Sequence, residues 1–262
     1  MNFYWVYDIS NVKFFFLVIS FFIFFSLLGA FLFSKWFEKK LNLTKETNNI
    51  VSIFLSLSGV VYGVTLGLIA VATFENYSGV ETMVDTEASS LAGLYRDVNM
   101  LENKEKDSLK ITLKNYTKYV IEQGWPLQQK GIVPKAGTEI VNTFQNYLAA
   151  YNPITEKDKI IYAEVFAQYN NFIEARRSTL NAVSTGLPGA VWLILFVGAF
   201  INIVLTWLLV IQNKKLDIIV NSLMGLLLGS LIFLIAAMDN PFRGEFSVGP
   251  DAFKLIYEGL MK

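Results

Sequence analysis

The chain reads as an all-α polytopic membrane protein with four transmembrane helices and a helical extramembrane domain inserted between the second and third. Three observations predict this. The 262 residues are 53% hydrophobic, 15% aromatic and only 17% charged, with a mean hydropathy of +0.43, which is too apolar for an ordinary soluble domain. Four segments, residues 14–34, 50–74, 188–212 and 218–238, contain no Asp, Glu, Lys or Arg. Each reaches the roughly 20 residues a helix needs to cross a bilayer core of about 30 Å, and none alternates as a barrel strand would. Residues 75–187 have a different composition, with 12 basic and 14 acidic side chains, as a water-exposed insertion requires.

The first segment is read as a retained span. The only Lys before it is Lys13, its apolar run is too long for a signal peptide, and "LLGAFLFSKWF" offers no small-x-small cleavage site. The second segment has no proline stop, since no Pro occurs before Pro126, so its helix is expected to run on through "ENYSGVETMVDTEASSLAGLYRDVNML". Val84, Ala88, Leu91, Tyr95 and Val98 lay one apolar stripe on that extension, and Leu109, Leu113, Tyr116 and Val120 repeat the pattern on a following helix that can cover it. "GWPLQQKGIVPKAG" then breaks the chain, and a short helix follows near residues 138–151. Thr155 and Asp158 resemble a capping box with Asp in place of Glu or Gln; they open a helix through Ile161, Val165, Phe172 and Leu180 that feeds the third span at Pro188. The predicted organisation is a membrane helix pair at 1–74, a helical domain at 75–187, a second pair at 188–238 and a tail at 239–262.

Composition excludes several function classes. Basic and acidic residues balance at 22 each, so no net field points to nucleic acid. The absence of Cys and His removes disulfides, thiolate nucleophiles, the usual zinc sites and the commonest general base. Asp217 and Asp239 sit at opposite ends of one helix, about 33 Å apart, and cannot act as a carboxylate dyad. No Lys falls within a span to activate a Ser, and no phosphate-binding glycine loop is present. Among the acids of the insertion, Glu75, Glu81, Asp85 and Glu87 read as a solvated helix surface. An enzyme is therefore not expected, nor any cofactor or metal.

The spans carry a pattern of small and polar residues. Ser52, Ser56, Gly59, Gly63 and Gly67 recur every three or four residues on the second span, with Ala70 continuing the row. Each Gly costs about 1 kcal/mol of helix stability relative to Ala, so the row implies close approach, either of another helix or of a narrow water path. Gly198, Asn202 and Thr206 on the third span and Asn221, Gly225 and Gly229 on the fourth repeat the theme. Asn in lipid must face protein or water, so Asn202 and Asn221 point to a bundle centre or an aqueous path. One four-helix bundle has little room for such a path, and conduction would require a cyclic homo-oligomer around an axis.

"VYGVTLGLIAVATFENY", "EASSLAGLYRD", the Arg176–Arg177 pair before the third span and "DNPFRGEFSVGPDAF" after the fourth together resemble the bestrophin-like family of prokaryotic membrane proteins, a family built on a domain of unknown function. The resemblance covers residues 50–253, and its most specific pieces are Leu94, Tyr95 and Arg96, and Asp239, Pro241, Phe242 and Gly244. More distantly it implies similarity to bestrophins, pentameric anion channels with four spans per subunit, a helical domain after the second and a path lined by the second helix. In those channels the Asn-Pro-Phe is followed by an acidic run that binds calcium. Here Asn240, Pro241 and Phe242 are followed by Arg243, Gly244 and Glu245, so no calcium site carries over.

The leading functional expectation is an oligomeric ion channel lined by the second span, with small inorganic ions, the lipid bilayer and further copies of the chain as partners. Glu75, Glu87, Tyr95, Arg96, Arg176, Arg177, Asp239, Asn240, Pro241, Phe242 and Arg243 are its candidate gating or structural polar residues. Glu75 at the mouth would favour cations, whereas Arg96 or helix N-termini would favour anions. Two alternatives are a membrane-anchored sensor or scaffold whose helical domain binds a ligand or partner, and a stator-like proton pathway, against which the charge-free spans count. A multi-pass protein of a bacterial inner membrane is expected. Four Lys in residues 35–49 and two in 213–217 favour an extracytoplasmic helical domain, the opposite of the bestrophin arrangement.

Overall fold

The computed structural model describes residues 4–262; residues 1–3, which begin the predicted 1–74 helix pair, lie outside the described residues. Those described form helices and connecting turns, with no strand among them. The chain divides into two compact units.

The first unit comprises Met1–Glu75, Gly186–Asp239 and Gly244–Phe246. It holds α1 (Asn11–Lys40), the first part of α2 (Thr47–Met100), α7 (Gly189–Trp207) and α8 (Lys214–Met238), all four long and apolar enough to cross a membrane. The chain is thus a multi-pass membrane protein. Its core is aliphatic and aromatic, with Phe22 of α1, Tyr62 and Leu66 of α2, Leu195 and Ile203 of α7, and Leu228 and Ile232 of α8 buried together. Polar caps end the helices where the sequence demands them. The Asn213 side chain accepts from the backbone N–H groups of Lys215 and Leu216 to open α8. Pro188 stands just ahead of α7, and its carbonyl accepts from Val191. The third span is shorter than the predicted 188–212, because the helix stops at Trp207 and the turn behind it is held by Asn48, whose side chain both donates to Val210 O (3.1 Å) and accepts from Val210 N (2.9 Å).

The second unit comprises Asn76–Thr185, Asn240–Arg243 and Ser247–Lys262. It is built on the rest of α2, α3 (Lys106–Tyr119), α4 (Trp125–Gln128), α5 (Ala136–Ala150), α6 (Glu156–Ala182) and α9 (Asp251–Gly259). The α2 extension forms as one uninterrupted helix, and its stripe of Val84, Ala88, Leu91, Tyr95 and Val98 is buried against Leu109, Leu113, Tyr116 and Val120 of the following segment. Between α3 and α4 the helix widens by one residue per turn over Val120–Gly124. Such π-type turns are rare and recur at functional sites.

Thr155 caps α6, its hydroxyl accepting from Asp158 N at 3.0 Å. The Asp158 carboxylate completes more than the cap: fully buried, it accepts from the N–H groups of Ile154 and Glu102 and from the Tyr151 hydroxyl. Burial alone would raise its pKa, but these donors prevail and hold it below the ordinary aspartate value. Residues 247–262, expected to be part of a tail, belong to this core: Val248, Phe253 and Met261 are buried in it, as is Phe242. The Thr117 hydroxyl donates to Met261 Sδ at 3.3 Å, and Trp125 packs between Phe242 and Phe253.

Candidate functional site

The small residues of the spans separate into two kinds. On α8, a Cβ added to Gly225 would lie 2.7 Å from Ile23 Cα, and one added to Gly229 would lie 3.1 Å from Ile19 Cα. These glycines let α1 and α8 approach backbone to backbone. Gly198 of α7 is filled in the same way by the Tyr62 ring and Gly29 of α1 by the Trp207 ring. On α2, a Cβ added to Gly59, Gly63 or Gly67 would meet nothing within 4 Å, and Ser52 and Ser56 are exposed on the same helix. That row is left open by its own chain.

Both span asparagines point to the bundle centre. Asn221 is fully buried; its Oδ1 accepts from Ser26 (3.2 Å) and Thr206 (2.9 Å), and its amide donates to Asp217 Oδ1 (2.8 Å). One side chain therefore ties α1, α7 and α8. Asn202 donates to Gly198 O, while its buried Oδ1 has no hydrogen-bond partner. Gly225, Gly229, Asn202 and Asn221 are thus all packed inside one chain.

Asp239 follows α8 directly. Its carboxylate accepts from Leu187 N and from the Trp192 indole (3.4 Å), which fixes the start of α7 to the end of α8. Beyond it, Pro241 O accepts from Val248 N (2.8 Å), Phe242 is buried, and Arg243 donates to Lys130 O (2.8 Å). Gly131 adopts φ +70°, a backbone conformation that favours glycine, and the Arg243 guanidinium lies against its open side.

Sequence reasoning placed Glu87 with a solvated charge run. Glu81 and Asp85 are exposed, but Glu87 is buried at 3%. It falls three residues after Val84 and four before Leu91, on the apolar stripe, and that register was the available signal. Its Oε1 accepts from the Tyr116 hydroxyl at 2.7 Å, and that oxygen in turn accepts from Arg176 Nε at 3.1 Å. The Arg176 side chain also donates to Thr138 (3.1 Å) and lies over the Tyr116 ring. Burial raises the Glu87 pKa above the ordinary glutamate value, against the opposing pull of Tyr116, Thr179 and Arg176. Burial and the neighbouring Glu87 likewise push the Tyr116 phenol up. Tyr95 is buried in the same core, with the Lys110 ammonium 5.6 Å from its ring centre, whereas Glu75, Arg96 and Arg177 are exposed. The helical period places Tyr116 in the apolar cover of α2 but not its hydroxyl on Glu87, and no sequence motif marks Gln128 or the π-type turn beside them.

Solved structures share this architecture. A bacterial bestrophin homologue from Klebsiella pneumoniae carrying one substitution superposes with a TM-score of 0.70 at 15% identity, over 93% of this chain and 97% of that one. The same homologue phased on zinc gives 0.69 at 14% identity, over 94% and 96%. A structure described as a membrane protein gives 0.70 at 13% identity, over 94% and 97%. No curated protein matches the chain. At such identities the likeness establishes the fold, while the sequence itself, over residues 20–253, matches the Bestrophin-like domain. The chain belongs to the Bestrophin-like family.

Proposed function

We propose that the chain assembles as a cyclic homo-oligomer, a pentamer by family resemblance, and conducts small inorganic ions along a path lined by α2. The observation that carries this is the open glycine row. Only 11% of the apolar window of α2 is buried by its own chain, against 28–33% for the other three spans, yet this span alone holds a row of three glycines, Gly59, Gly63 and Gly67, with nothing opposite them. Lipid gives no reason to accept roughly 1 kcal/mol per Gly, whereas a neighbouring α2 or a narrow axial path does. Ser52 and Ser56 on the same helix add hydroxyls suited to a wet surface. The buried Asn202 and Asn221 leave the path no room inside one protomer, which again favours an axis between copies.

The test is the subunit count of the purified particle together with ion flux from liposomes. A closed ring that conducts, and whose flux falls when Gly63 becomes Leu, supports the reading. A monomeric particle with no flux above protein-free liposomes overturns it. Flux driven by opposed anion and cation gradients assigns selectivity in the same preparation.

A further inference from the structure

Glu87, Tyr116, Arg176 and Gln128 converge on one small internal space in the helical unit. The cavity offers about 10 Å³ to the centre of a water-sized sphere, close to the minimum for one water molecule. Gln128 is 4% exposed and lines this space, and its Oε1 has no hydrogen-bond partner. An orphaned buried carbonyl is costly unless something donates to it. The π-type turn at Val120–Gly124 and the missing side chain of Gly137, where a Cβ would lie 3.0 Å from the Tyr119 ring and 3.4 Å from Arg176, keep the space from being filled. The charged and titratable groups facing it are Glu87 from α2, Tyr116 and Tyr119 from α3 and Arg176 from α6. Arg176 approaches Glu87 only through the Tyr116 oxygen, so the carboxylate has no direct cationic partner.

We propose that these four side chains form a proton-binding site: Glu87 takes up a proton in this cavity, and one water molecule joins its carboxyl group to Gln128 Oε1. The protonated acid donates to the water, which donates onward to Gln128, so every polar atom is satisfied. When the proton leaves, a buried carboxylate remains against Tyr116, Thr179 and one water, and the packing of α2 on α3 and α6 is weakened. A proton fits where a larger ligand does not, and the guanidinium across Tyr116 disfavours a metal cation. Because Glu87 lies on the helix proposed to line the path, the site gives conduction a pH input, a consequence that rests on the channel reading.

Thermal unfolding of the purified full-length protein against pH tests the site without reference to conduction. Glu87 has a folded-state pKa above its unfolded value, so its stabilising contribution is complete at low pH and is lost as pH rises through the folded value. The melting temperature of Glu87→Gln minus that of wild type should therefore widen by a few degrees as pH rises above the ordinary glutamate range. In a Tyr116→Phe background, which removes a donor to the carboxylate, the widening should continue to higher pH, and in Gln128→Leu, which removes the acceptor that the water-linked acid donates toward, it should end at lower pH. A difference that stays constant with pH overturns the site, as does a melting temperature that responds to exchange of potassium for sodium at fixed pH and loses that response in Glu87→Gln. Liposome flux then tests the pH input: a severalfold change with pH in wild type and a flat profile in Glu87→Gln supports it, whereas identical profiles overturn it. If no variant conducts at any pH, the channel reading fails while the unfolding result still decides the proton site.

Discussion

Two rows of glycines spaced four apart, one on α8 and one on α2, look alike in sequence and differ in what stands opposite them. The α8 pair is pressed against the α1 backbone at 2.7 and 3.1 Å, so its missing side chains are occupied space. The α2 row faces nothing in its own chain. A small-residue repeat states only that something must come close. The packing around it tells whether that partner is already in the protomer or has still to arrive, as another subunit or as water.

The sharpest test of the difference is Gly225→Leu. With backbone on the receiving side nothing can rotate away, and the variant should lose roughly 3 kcal/mol or more, seen as loss of monodisperse protein on size exclusion. Next comes Gly63→Leu, which should leave protomer folding intact and instead abolish flux or shift the oligomer, read by liposome assay and particle mass. Equal stability losses at Gly225 and Gly63 would erase the distinction. Asn221→Leu probes the filled side more gently. Ser26 and Thr206 lose their shared acceptor, but Thr206 can turn to Ile203 O at 2.6 Å, so a cost of about 1–2 kcal/mol is expected from thermal unfolding. The smallest effect belongs to Gly59→Ala, which fills open space with a better helix former and should stabilise the protomer by up to about 1 kcal/mol. A clear destabilisation there would mean that a neighbouring copy already occupies the row.

Much of the architecture was legible because it is written in helical period and charge. The four spans, the proline-free run of α2, the stripe from Val84 to Val98 with its cover on α3, and the Thr155 cap all follow from local pattern. What escaped depends on contacts that period does not encode. The glycine rows could not be told apart from spacing alone. Glu87 was read with Glu81 and Asp85 as solvent-facing although its register with Val84 and Leu91 placed it on the buried stripe. The turn at Val120–Gly124 and the single space between Tyr116, Gln128 and Arg176 arise from tertiary packing, and no short motif marks them.

The dispersal of the helical unit along the chain has a kinetic consequence. Phe242, Val248, Phe253 and Met261 complete a hydrophobic core whose other members lie between Val80 and Val183, with α7 and α8 synthesised in between. That core cannot close while the ribosome is still producing those two helices. Until then Leu113, Trp125 and their neighbours must wait partly uncovered, and the native contacts that finish the unit, such as Thr117 with Met261, join residues 144 positions apart. Such long loop closures slow folding and prolong exposure to wrong partners. Maturation of the helical unit is therefore ordered after insertion of the second helix pair, and a chain interrupted before residue 247 should insert its spans yet present a protease-sensitive helical unit.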